Sequence, residues 1–127
     1  MSDQSRIQSA LGSRDPEIRD AFHRLYAPFN NSDATDVPSD GQLAAAARDL
    51  RDAYGELAAA VARAGRHVTG AGKLAAGLAE YSDAYDKLNR GIRSKSQTTR
   101  DNAFDDMSDL LDSADHKVSS AIRTLNL

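Results

Sequence analysis

The sequence predicts an all-α fold. The expected architecture is an antiparallel up-down helical bundle, with three long helices at about 41–68, 72–94 and 99–125 and a short N-terminal helix at about 16–29. Two observations carry this expectation. In three consecutive segments the apolar residues recur at alternating steps of four and three, which puts them on one face of a helix. The joins between the segments are short and either polar or glycine-containing, so neighbouring helices must turn back on one another. Held over three heptads or more, this spacing belongs to helices packed nearly parallel with a slight left-handed twist.

The elements follow in chain order. Residues 1–14 are expected to form a weakly structured tail in which Ile7, Ala10 and Leu11 make one apolar turn. Ile7 and Leu11 are candidate residues for ordering on a partner. Asp15-Pro16-Glu17 reads as a helix start, with proline in the first turn where its missing N–H costs nothing. This helix carries Ile18, Phe22, Leu25 and Phe29, and Pro28 marks its end. "NNSDATDVPSDG", residues 30–41, is a loop by composition and, with the tail, an expected mobile part. The division is therefore a tail, 1–14, and a single helical-bundle domain, 15–127.

The first long seam runs Leu43, Ala47, Leu50, Tyr54, Leu57, Val61, Ala64 and Val68. Ser39 and Gln42 stand before it at capping-box spacing. The second runs Leu74, Leu78, Tyr81, Tyr85, Leu88 and Ile92. The third runs Phe104, Met107, Leu111, Ala114, Val118, Ala121 and Leu125, widened by Leu110 and Ile122, with Thr98 and Asp101 as the expected cap pair. The first long helix is also alanine-rich outside its seam. Ala44, Ala45, Ala58, Ala59 and Ala62 permit close approach of a second neighbour, either the 16–29 helix or another copy of the chain, and are candidate self-association residues.

Composition narrows the chemistry. The chain has 127 residues, the size of one domain. It has no cysteine, which removes disulfides, thiolate nucleophiles and cysteine-held metals. Its net charge is −3, which gives no pull toward nucleic acid or anionic lipid. No apolar run is long enough to span a bilayer, and the N-terminus lacks the apolar core of a secretory signal. A cytoplasmic location follows as the expectation, although export that reads a folded helical pair leaves no such mark. Only Glu17, Glu56 and Glu80 are glutamates and no Glu-x-x-His occurs, so a di-metal bundle site is not expected.

"RHVTGAGKLAAGLAEY", residues 66–81, combines a histidine with two close glycines. His67, followed by Val68, Thr69, Gly70, Ala71, Gly72 and Lys73, resembles in part the His-x-x-Lys-Gly-Ser motif of histidine phosphotransfer domains, which are helical bundles. That resemblance implies phosphotransfer at His67, but the lysine comes three places too late. Glycines also stand where the motif needs a continuous helix; two of them cost a helix about 2 kcal/mol relative to alanine. A hinge is the expectation, with Arg66 and His67 suited to the last turn of a helix. The glycine–lysine–serine/threonine ending of a phosphate-binding loop is absent. The alanine-rich pair at 43–93 resembles the helical hairpins of small type VII secretion substrates, which implies a substrate or partner of such a system. That family's Trp-x-Gly turn is missing. So is its Tyr-x-x-x-Asp/Glu signal, since Asn30, Ala58, Tyr85 and Asn89 stand four places after the tyrosines.

The last helix opens with aspartates. Asp101, Asp105, Asp109 and Asp112 share one face and are candidate docking residues for a protein partner. The basic run Lys87, Arg90, Arg93, Lys95 and Arg100 lies just before them, so the two clusters are expected to neutralise each other at the turn. No aromatic residues interleave the basic run, and nucleic acid is not an expected partner. Tyr54, Tyr81 and Tyr85 are expected in the core, either near the bundle ends or sharing a small polar network with Asp or His. His23 and His116 have no companions at metal-ligand spacing. No catalytic, cofactor or metal site is expected. The expected function is non-enzymatic: an adaptor, chaperone-like or assembly protein acting through protein–protein interaction, with another protein or a second copy of the chain as partner, without nucleic acid, membrane or cofactor.

Overall fold

In a computed structural model, which describes residues 3–30 and 39–127, five α-helices pack against one another. They are α1 (Asp3–Gly12), α2 (Asp15–Asn30), α3 (Asp40–Ala64), α4 (Ala71–Arg93) and α5 (Gln97–Leu125). No strand occurs among the described residues. Most of the expected loop, residues 31–38, lies outside them. α4 packs along both α3 and α5, while α1 and α2 lie against α3.

The helix ends show why each segment stops where it does. Ser39 Oγ accepts the Gln42 N–H at 3.1 Å, and the Gln42 side chain accepts the Ser39 N–H at 2.9 Å, so the capping box at the head of α3 is complete. α3 ends earlier than its seam suggests. Gly65 caps it, with its N–H on the Val61 carbonyl at 2.9 Å, and Val68 lies in the turn that follows. A Cβ at Gly65 would lie 2.4 Å from the Ala71 Cβ, so the chain can fold back here only over a glycine. Gly70 then opens α4 at φ +94°, a left-handed conformation that glycine adopts without penalty. α5 begins at Gln97 because Ser96, not Thr98, caps it: Ser96 Oγ accepts the Thr99 N–H at 3.3 Å. Asp101 accepts instead from the Gln97 side chain, at 2.8 Å.

α1 departs from the expected loose tail. Ile7 is fully buried, in a cluster with Leu57, Val61, Leu74, Ala121 and Leu125. Leu11 is partly buried against the same cluster. The single apolar turn suffices because it plugs the end of the molecule where α3 stops, α4 starts and α5 finishes. The bare face of Gly65 makes the room: a Cβ there would lie 3.0 Å from Ile7 Cδ1. Gln4 fastens the plug by donating to the carbonyls of Leu125 at 3.0 Å and Asn126 at 2.8 Å. Ile7 therefore spends its side chain inside this chain and presents nothing to a partner.

Side-chain hydrogen bonds tie the long helices together. Asn89, buried on α4, donates to the Ala44 carbonyl at 2.7 Å, and Ser82 donates to the Arg51 carbonyl at 2.7 Å. Between α4 and α5, Lys73 meets Ser120, Glu80 meets Lys117 and Tyr81 meets Asp115. α4 turns glycine toward α5 at two places. A Cβ at Gly77 would lie 2.7 Å from Val118 Cγ2, and one at Gly91 would lie 2.5 Å from Ala103 Cβ. The close approach that small residues permit is thus used within the chain. Ala44 and Ala58 of α3 are likewise buried in the chain's own core. Ala45 is half-buried, and Ala59 and Ala62 are exposed.

Candidate partner-binding groove

The apolar seam of α5 is not covered evenly. Its buried residues are Ala114, Ala121 and Leu125, all in the C-terminal half. In the N-terminal half, Met107 and Leu111 are half-buried and Phe104 is 48% exposed. On the side toward α2 that half is left uncovered, and an apolar groove opens beside it. The groove has a volume of about 480 Å³. Leu25 of α2 and Leu88 of α4, both buried, contribute its deepest surface. Tyr26, Leu43, Ile92, Phe104 and Met107 line the rest. Arg100 and Asp40 also border it, joined by an ion pair at 3.5 Å, and Arg100 Nε donates to the Ser94 carbonyl at 2.6 Å.

The acidic residues of α5 flank this groove. At 100° per residue, Asp101, Asp105 and Asp112 lie about 60–100° round the helix from Phe104, with Asp109 just beyond. All four are exposed. The expected neutralisation by the preceding basic run is not what the ion pairs show. Arg90 pairs with Asp86 at 3.1 Å and Arg100 pairs with Asp40. Asp105, Asp109 and Asp112 meet no hydrogen-bond or ion-pair partner among the described residues. The reason is geometric. Arg90 of α4 reaches back to Asp86 of its own helix and Arg100 of α5 reaches Asp40 of α3, whereas the aspartates point away from α4.

Beneath the groove lies an aromatic cluster. Phe22 stacks on Tyr26 at a centroid distance of 5.3 Å and meets Tyr85 edge-on at 5.9 Å. Tyr54 packs against Tyr81 at 5.0 Å and Tyr85 at 6.0 Å. The phenols satisfy one another and one acid: Tyr26 and Tyr85 share a hydrogen bond of 2.9 Å, and Tyr81 donates to Asp115. Burial pushes the Tyr54 phenol up to about 12 from an ordinary 10.0. Burial raises Tyr81 and Tyr85 too, seconded by the hydrogen bonds to Asp115 and Tyr26 respectively. Phenols held protonated in this way are poor general bases at neutral pH.

His67 stands apart from all of this. It is exposed in the turn between α3 and α4, beside a depression of about 190 Å³ that Arg6, Arg63 and Arg66 also line. Among the described residues no group of three or more His, Asp or Glu is gathered as a metal would need. No described helix is long and apolar enough to cross a membrane.

Of the residues the sequence singles out, the structure leaves the aspartate stripe exposed on α5 and takes Ile7, Ala44 and Ala58 into the core. Sequence reasoning missed the groove itself. Phe104 and Met107 carry the same four-three signal as buried seam residues, and Tyr26 lies off the pattern. Comparison with known proteins leaves the chain on its own: no family model, no curated protein and no solved structure matches it.

Proposed function

We propose that this protein is a non-enzymatic scaffold that works by binding another protein through the α2–α5 groove. The three long helices are read as an antiparallel up-down bundle with α1 and α2 laid against α3, and α5 as the helix that offers its uncovered half. The observation that carries the reading is Phe104. A half-exposed phenylalanine on the lip of an apolar groove, on a helix that also carries exposed acids, has the composition of an interface centre with a polar rim.

The test compares capture from the native host by immobilised wild-type protein and by Phe104→Gln. Glutamine keeps helix propensity and removes the aromatic anchor. The reading expects a protein retained by the wild type and lost, by at least about tenfold, from the variant. Equal retention by both would place the working surface elsewhere.

A further inference from the structure

We infer that the groove takes one amphipathic helix from a partner protein, with basic residues along the flank that faces α5. This rests on the groove being the working surface. The length suits a short helical contact: from Arg100 to Met107 the α5 wall spans about 10 Å, roughly two helical turns. The shape fits as well. α2 and α5 form two helical walls over an apolar floor, the setting in which a helix lays its apolar face and is read at four-three spacing. Charge then selects among helices. Asp105 and Asp112 stand on the outward side of Phe104 with no partner among the described residues, and Asp109 lies further round. Lysine or arginine on the occupant's outer flank would meet them at the rim, where charge pairs set encounter rate and partner choice more than strength. A second copy of the chain is the poorer occupant. A two-fold contact through this face would bring both rows of unneutralised aspartates into one interface, in a protein already at −3.

The experiment titrates the full-length protein with a synthetic amphipathic peptide of about 14 residues, leucines at four-three spacing and lysines along one flank. A matched peptide carries glutamates in place of the lysines. Binding is followed by fluorescence anisotropy of the labelled peptide, and size by light scattering. The lysine peptide is expected to bind at least about tenfold tighter than the glutamate peptide at low salt, with the gap closing as salt rises. The triple variant Asp105→Asn, Asp109→Asn, Asp112→Asn should lose that preference while keeping its helix content. Phe104→Gln should lose both peptides.

Several results would overturn the inference. Equal binding of the two peptides removes the basic flank. A concentration-dependent dimer that Phe104→Gln abolishes makes a second copy the occupant. Binding that appears only after residues 31–37 are replaced by a glycine–serine linker makes the chain's own connection the occupant. If the lysine peptide fails but capture from the host still depends on Phe104, this inference falls and the reading of the groove stands. If neither depends on Phe104, both fall.

Discussion

Truncating Tyr85 to alanine is expected to cost about 3–5 kcal/mol of folding stability, the loss typical of a large aromatic removed from a packed core. Tyr85 is 2% exposed and joins three helices at once. It faces Tyr54 of α3 and Phe22 of α2, and its hydroxyl meets that of Tyr26. Tyr85→Phe is expected to cost only about 1 kcal/mol, since it keeps the ring and removes one hydrogen bond. Urea unfolding followed by circular dichroism separates the two. The same residues set an alkaline limit. A phenol whose folded value lies above its unfolded one ionises first in the unfolded chain, so unfolded molecules hold fewer protons and stability falls as pH rises. The contribution is complete below the ordinary value of 10.0 and is lost as pH climbs through the folded value, about 12 for Tyr54. The urea midpoint should be flat up to about pH 9 and drop above about pH 10, less steeply in Tyr85→Phe. A midpoint that does not change across that range would mean that the phenols are not held in the core.

Replacing Ile7 by alanine is expected to cost about 2–4 kcal/mol, as for a fully buried aliphatic side chain whose site cannot collapse. Its neighbours Leu57, Val61, Leu74 and Leu125 come from three helices, so none of them can move in alone to fill the space. A residue in a loose tail would change stability by no more than about 0.5 kcal/mol. Thermal unfolding of Ile7→Ala, read beside the neighbouring surface variant Gln8→Ala, measures the difference directly. A small effect in both would detach α1 from the core.

How much of this was legible in the sequence depends on what each signal encodes. The seams of α3, α4 and α5 are long enough that the four-three period alone defines their buried faces, and Ser39 with Gln42 marks a start that the hydrogen bonds bear out. The turn after α3 was legible as glycine, but not which glycine. Gly65, not the Gly70–Gly72 pair, ends the helix, because it alone must clear Ala71 and Ile7. α1 was illegible for the same reason: a single apolar turn has no period to detect, and its helix is secured by a hole that other segments build. Phe104 shows the converse failure. Its spacing is that of Ala114 and Ala121, yet spacing reports only the face a residue occupies, not whether a neighbouring helix reaches far enough to cover it. The aspartate stripe was legible as a face. That Asp105, Asp109 and Asp112 would meet no partner among the described residues depended on where Arg90 and Arg100 turn, which no one-dimensional pattern records.

The central claim is that the α2–α5 groove is an open surface and not a piece of the core. The most direct measurement is the urea unfolding free energy of Phe104→Gln against wild type. An open groove predicts a loss below about 1 kcal/mol with an unchanged denaturant slope, because half of the ring already faces solvent. A loss of about 3 kcal/mol or more, the signature of a fully packed phenylalanine, would contradict the claim.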